Sequence, residues 1–318
     1  MAYLGELISL GVALLWTISA LAAEVATKRA GVLVLNVWRM ALAFVVSSLL
    51  LWIVTGQALP LNAGCEAWVW LLLSGVVGYF LGDWCLFNSY LVIGSRFGQL
   101  FMTLAPAFTA FFAWVMIGQT LSWNALTAML ITLSGIGIAV TDRGGTEDGK
   151  TVRLKGVLLG IGAALGQGLG LVMSKIGLDH FTSNITADEL KEFGYVLPFG
   201  SNLIRCIAGT VCYYAWYLVS KARHRHTSSE SPHLRSMVHD SKAIKALLIT
   251  LFSGPFLGVA LSLAAVQLTA AGIASTLMAM TPILILLPSH WLFHQPITFR
   301  AILGALISCV GVSLFFLL

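Results

Sequence analysis

"LFMTLAPAFTAFFAWVMIGQTLS", residues 100–122, lies on "TLMAMTPILILLPSHWLFHQPIT", residues 276–298, when the chain is shifted by 176 positions, from 100 to 276. Pro106 then meets Pro282 and Gln119 meets Gln295. Without a gap, Gly82 meets Gly258 upstream and Gly135 meets Gly311 downstream. Apolar segments share Leu, Ala and Met by chance, so the weight rests on these Pro, Gly and Gln landmarks. Earlier in each half the offset changes: "NVWR" at 36–39 meets "NLIR" at 202–205, and Thr17 and Glu24 meet Gln167 and Ser174. Extra residues around 178–195 and slightly different loops account for the changes. The chain reads as a duplication.

The duplicated unit belongs in a membrane. Of 318 residues, 58% are hydrophobic and 10% charged, against roughly 25% charged in a soluble domain. Apolar stretches, each of a length to cross a hydrocarbon core as a helix, fall near 5–27, 33–55, 67–92, 97–118, 122–141, 155–177, 197–220, 243–267, 270–293 and 298–318. Gly and Pro interruptions argue against the short alternating strands of a barrel. No Lys or Arg precedes Lys28, so the first stretch reads as a retained span and not as a cleaved signal. The expectation is an all-α membrane protein with ten transmembrane helices. Five spans per half is an odd number, so the second half enters from the opposite side and the two five-helix repeats are inverted. The first repeat takes residues 1–142, a cytoplasmic linker 143–154, and the second repeat 155–318, with an insert at 178–195 and a flexible loop at 221–242.

The formal charge of +5 is a topology signal. All but four of the eighteen Lys and Arg follow odd-numbered spans; the exceptions are Lys175 and Lys191 on the opposite side and Arg39 and Arg205 within spans. The positive-inside rule puts the odd loops in the cytoplasm and both termini outside. The expected location is the cell's inner membrane, with lipid as the surrounding partner and no nucleic acid. The five cysteines show no CxxC spacing and read as small apolar residues, with no metal site. "RHRH" at 223–226 reads as a solvated tract or, less simply, a metal catch. Nothing calls for a cofactor, and no Walker motif supplies direct ATP drive.

Ten spans in two halves, an Arg early in the second span of each (Arg39, Arg205), a Pro midway along each fourth (Pro106, Pro282), and a short hairpin into a Gly-containing fifth span ("IGQTLSW" to "SGIGIAV", "FHQPITF" to "CVGVSLF") resemble the EamA family of the drug/metabolite transporter superfamily. The resemblance covers nearly the whole chain. It implies that the first, third and fourth helices of each half line a cavity. Gln119 and Gln295 stand where relatives usually carry Glu in that hairpin. Relatives are usually drawn with cytoplasmic termini, the reverse of the charge count here. Glu24, in "LAAEVATK", is similar to the membrane Glu of small multidrug resistance proteins in the same superfamily; it also stands four residues before Lys28, where an ion pair forms on a helix.

At 3.6 residues per turn, Tyr79, Asp83 and Tyr90 fall within about 40° of each other on the third span, and Asn88 faces away. Gln99, Thr103 and Pro106 line one stripe of the fourth span, and Ser275, Ala279 and Pro282 repeat it on the ninth. Thr17 with Glu24, and Gln167 with Ser174, make polar stripes on the first and sixth. The expected substrate contacts are Asp83, Tyr79, Gln99, Thr103, Thr17, Gln167, Ser174 and Ser275. Arg39, Arg205 and Glu24 are structural or coupling residues, and Pro106 and Pro282 are helix hinges.

Asp83 has two readings. Counted along the helices it lies roughly 15 Å below the odd-loop surface and Arg39 roughly 10 Å below it, so the two can pair and lock helices, where each charge alone costs about 3 kcal/mol at the bilayer centre. Alternatively it faces the cavity beside Tyr79 and Trp84 and binds a cationic group or exchanges a proton. Its repeat counterpart is Val259, so the symmetric scaffold does not require a charge there. Gly162, Gly166 and Gly170 form a ridge for close packing or for substrate access. His290 and His294 read as interfacial. Trp16, Trp114, Trp123 and Trp291 read mostly as core or interfacial anchors. Thr186 and Glu189 have capping-box spacing.

The resulting expectation is a secondary carrier that exports or exchanges a small polar or amphipathic metabolite, with protons as an available coupling ion and a homodimer as an available assembly. A channel or scaffold is the alternative. An intramembrane aspartyl enzyme would need a second carboxylate beside Asp83, and no span supplies another Asp.

Overall fold

The computed structural model describes residues 3–140, 154–186, 188–190, 194–224, 234–286, 288, 291 and 298–317. Its principal helices are α1 Leu4–Ala30 and α2 Val32–Thr55, α3 Cys65–Ser95 and α4 Ala105–Ile117, α5 Trp123–Val140, α6 Leu154–Asn184, α7 Gly194–Arg223, α8 Ser241–Leu268 and α9 Ala271–Leu284, and α10 Phe299–Leu317. Six of these, α1, α2, α3, α6, α7 and α8, are long and apolar enough to cross a membrane; α4, α5, α9 and α10 are shorter apolar helices. Large apolar side chains such as Leu14, Ile53, Trp123 and Val211 stand outward and exposed, which suits a surface whose solvent is lipid. The chain is a multi-pass membrane protein.

Glycines end the first helices sharply. Gly31 sits at φ +84° between α1 and α2, a conformation open to residues without a Cβ. Gly94, at φ +78°, breaks the chain where α3 ends. Beyond it an approach leg runs over 95–102, a two-residue break follows at 103–104, and α4 restarts at Ala105. The same break recurs at 279–280, inside α9, 176 positions on. Pro106 and Pro282 stand in the first turn of the helix after each break. They therefore begin a helix and do not kink one midway, as the sequence had suggested. Lacking an N–H, proline loses nothing in a first turn, where that donor has no partner.

A second irregularity is also paired. α3 carries a π-helical segment at Gly75–Gly82 and α8 a shorter one at Phe252–Phe256, which the shift of 176 lays within the first. Wide turns leave carbonyls short of donors. α7 answers both: the Tyr213 hydroxyl lies 2.9 and 3.1 Å from the carbonyls of Tyr79 and Phe80, and the Asn202 amide donates to the Pro255 carbonyl.

Packing is set by small residues. α6 runs antiparallel to α3, from Gly156 beside Ile93 to Asn184, whose amide donates to the Ala63 carbonyl just before α3. α1 runs antiparallel to α8, from Gly5 beside Leu268 and Thr269 to Arg29, which pairs with Asp240 at 2.6 Å. The Arg29 hydrogen bond holds the Asp240 carboxyl below the usual range, and Asp240 also accepts from the backbone of Lys242 and Ala243, capping α8. α2 packs on α7, α4 on α6 and α9, and α9 on α1. α5 and α10 cross where Gly135 meets Ser308 and Gly311 meets Thr132.

Some boundaries shift from the sequence reading. α6 continues to Asn184, so the insert placed from 178 is, in its first seven residues, the end of that helix. Beyond it Thr186 and Glu189 form the capping box: the Glu189 carboxylate accepts from the Thr186 backbone and hydroxyl, both at 3.0 Å, which holds its carboxyl below the ordinary range. Within the loop placed at 221–242, Arg235–His239 forms a short helix. His290, His294, Gln295, the linker to residue 153 and "RHRH" from 225 onward lie outside the described residues.

Candidate functional site

The ridge on α6 decides which polar groups meet. A Cβ on Gly166 would come within 2.9 Å of the Gly82 Cα, and one on Gly170 within 3.1 Å of the Gly78 Cα; only bare backbones fit that closely. The approach carries Gln167 to α3, where its Nε2 donates to Asp83 Oδ1 at 2.7 Å. The other carboxylate oxygen of Asp83 accepts from Arg39 Nη2. Asp83 is 5% exposed and Arg39 3%, so the two charges neutralise each other in a place where either alone would be costly. The Arg39 guanidinium also lies 4.6 Å over the Phe87 ring.

Asp83 nevertheless borders a cavity. Trp16, Ser19, Arg39, Tyr79, Tyr90, Gln99, Gln167 and Val259 are among its other walls, and the space between them, with the part that opens to the exterior included, is about 530 Å³. A second cavity of about 580 Å³ is bordered by Met102, Leu171, Arg205, Ser262, Ser275, Met278, Thr281 and Pro282, among others. Trp16, Gln99, Gln167 and Val259 border both, so the cavities adjoin across these four side chains. The walls come from α1, α2, α3, the start of α4, α6, α7, α8 and α9 and from the 95–102 leg. Gln99 donates to the Tyr90 hydroxyl at 2.6 Å, bracing one side.

The other sequence-derived candidates divide. Tyr79, Gln167, Gln99 and Ser275 border the cavities with Asp83. Thr17 and Ser174 do not; their hydroxyls donate to the carbonyls four residues back, Ala13 and Gly170, at 2.8 and 2.6 Å. Thr103 lies in the break before α4, away from both cavities. Glu24 accepts from Lys28 Nζ at 2.6 Å and from the Ser95 backbone at 3.1 Å, tying α1 to the start of the 95–102 leg. Trp84 stands outward, 37% exposed, and does not flank the cavity. Pro282 borders the second cavity and Pro106 is buried outside it.

Arg205 is the residue that the match of "NVWR" to "NLIR" lays on Arg39. Its guanidinium lies 4.7 Å over the Tyr79 ring and against Gly78, where a Cβ would meet Nη2 at 2.9 Å. Arg39 lies likewise near Gly254, 176 positions after Gly78, with its Nη1 3.8 Å from a Cβ built there. Sequence reasoning missed Trp16, Ser262 and Thr281 as cavity walls. A tryptophan in an apolar helix carries no mark of which way it faces.

The sequence model of the EamA-like transporter family matches residues 3–141 and 190–317. The chain belongs to the EamA-like transporter family. Members of this family, part of the drug/metabolite transporter superfamily, are generally transporters and not enzymes. Among solved structures, one crystal structure of a protein superposes with a TM-score of 0.69 at 16% identity, covering 98% of this chain and 96% of that one; at that identity the likeness is one of fold. No curated protein matches significantly.

Proposed function

We propose that this EamA-family protein is a secondary carrier that exports or exchanges a small polar or amphipathic metabolite by alternating access, with protons as the coupling ion. The observation that carries the reading is the pair of adjoining cavities bordered by helices from both sequence halves, with buried polar groups at their junction.

An inverted ten-helix duplication is part of the same proposal, and four features support it. The π segments and the chain breaks repeat at the 176-residue offset that aligns the prolines. Exchanging α1 with α6, α2 with α7, and so on through α5 with α10 leaves the principal packings unchanged: α3 on α6 becomes α8 on α1, and α4 on α6 becomes α9 on α1. α6 is antiparallel to α3, whereas α1 is parallel to it, since Glu24 near the end of α1 meets Ser95 at the end of α3. Rocking one inverted bundle against the other exposes a central chamber to each side in turn.

Counterflow tests the carrier. Proteoliposomes are preloaded with an unlabelled compound that raises the protein's melting temperature, and uptake of the same labelled compound is followed. A carrier gives transient accumulation above the external concentration, driven by the outward gradient of the unlabelled compound; proton coupling is read separately, as uptake without preloading that an imposed proton gradient drives and a protonophore collapses. Simple equilibration, unaffected by preloading, is the behaviour of a channel and would remove the proposal.

A further inference from the structure

We propose that Arg205 is a binding site for the carboxylate of an amphipathic monocarboxylate, and that this ligand is the transported substrate. The second clause rests on the carrier reading above; the first stands on the geometry of the second cavity.

The argument begins with an asymmetry. In the first half the buried Arg39 has its carboxylate, Asp83. In the second half the arginine is kept at Arg205, while the position matching Asp83 is Val259. Val259 and Arg205 both border the second cavity. Arg205 is 3% exposed, and among the described residues no carboxylate pairs with it; its Nε, like that of Arg39, has no hydrogen-bond partner. An arginine does not shed its proton inside a protein. A buried arginine that borders a cavity is thus a cation with no paired carboxylate among the described residues, and a ligand carboxylate would do for it what Asp83 does for Arg39.

The surroundings narrow the ligand. The charged side chains around the two cavities are Arg39, Asp83 and Arg205; the first two cancel, leaving one positive charge. A monoanion neutralises that charge, whereas a phosphate dianion would leave a negative charge stranded in a poorly solvated interior. The neighbouring walls are mostly apolar: Trp16, Met102, Leu171, Met278 and Pro282. Such a chamber favours an acid with an apolar body. A planar carboxylate also suits the two-pronged donor geometry of a guanidinium.

The test uses three probes of one shape and different charge: phenylacetate, its neutral amide phenylacetamide, and cationic phenethylamine. Each is titrated into the full chain in nanodiscs while the melting temperature is read, and phenylacetate is joined by unbranched carboxylates of two to eight carbons. The expected result is stabilisation by one or more carboxylates and none by the amide or the amine. Arg205→Gln lowers the apparent affinity for the carboxylate at least about tenfold, the loss of a charge-assisted contact. Val259→Asp keeps the arginine and supplies a carboxylate from the chain itself; it raises the basal melting temperature and abolishes the response, so the test survives if Arg205→Gln fails to fold. Equal stabilisation by the amide or amine, an undiminished response in Val259→Asp, or no response to any carboxylate would overturn the site. Binding without counterflow of the labelled acid overturns the carrier reading and leaves the site. Counterflow of a neutral or cationic compound, without carboxylate binding, does the reverse.

Discussion

Asp83 and Arg39 are chemically unequal partners. Deprived of arginine, a buried carboxyl takes up a proton and becomes neutral; deprived of aspartate, arginine stays charged. Asp83→Asn therefore destabilises the protein by about 3–5 kcal/mol, the cost of leaving a buried charge alone. Arg39→Gln costs less, and the double variant recovers most of the loss. Unfolding of the three variants in mild detergent checks this; a loss under about 1 kcal/mol for Asp83→Asn, of the size seen for surface pairs, would show that water reaches the pair. The depth count along α2 and α3 made this pairing legible, because the positions of two charges in two apolar helices are enough to compare their levels. Thr17 and Ser174 were picked out by their polarity alone. A hydroxyl on a helix finds an acceptor four residues back, so its presence in an apolar segment says little about what it faces.

At the scale of the element, the α3–α6 contact determines whether Gln167 reaches Asp83 at all. Gly166→Ala puts a methyl group 2.9 Å from the Gly82 Cα and destabilises by about 1–3 kcal/mol through overpacking. Gly11→Ala, where nothing lies within 4 Å of the new Cβ, is neutral or stabilises by about 0.5–1 kcal/mol. The pair is read by thermal unfolding; equal effects at the two glycines would mean that α6 does not pack backbone to backbone on α3. The ridge was visible as a spacing of four. The π segments were not, since hydropathy does not register whether a carbonyl is met by the fourth or the fifth residue on. Pro255, inside the α8 segment, was the one local sign of a disturbed ladder there. The prolines of α4 and α9 were visible as landmarks but were placed mid-helix, because the breaks just before them fall among ordinary apolar residues.

Across the whole molecule, the proposed duplication is supported by residues whose backbone or packing demands are specific: Gly135 and Gly311, 176 positions apart, meet Ser308 and Thr132 at one crossing, and Pro106 and Pro282 each stand in the first turn after a chain break. The chamber was less legible, for it is formed by long-range packing that brings Trp16, Gln99, Gln167 and Val259 together from four elements. Connections at one end bear on how it would open. Gln119 Oε1, in the turn after α4, accepts from the Ala271 backbone at the start of α9 at 3.1 Å, and Glu6 accepts from Thr269 at 2.8 Å. Both link the first half to the second.

The alternating-access claim is tested most directly by labelling a cysteine at Ser262 in a cysteine-free background, with membrane-impermeant maleimide, in vesicles of both orientations. A second form carries cysteines at Gln119 and Ala271 joined by a short bifunctional thiol reagent before the Ser262 position is probed. The account predicts labelling from either face in the unlinked protein, and loss of labelling from the Gln119 face with retention from the other after linking, together with loss of counterflow. Labelling from a single face before linking, or counterflow that survives the link, would contradict it.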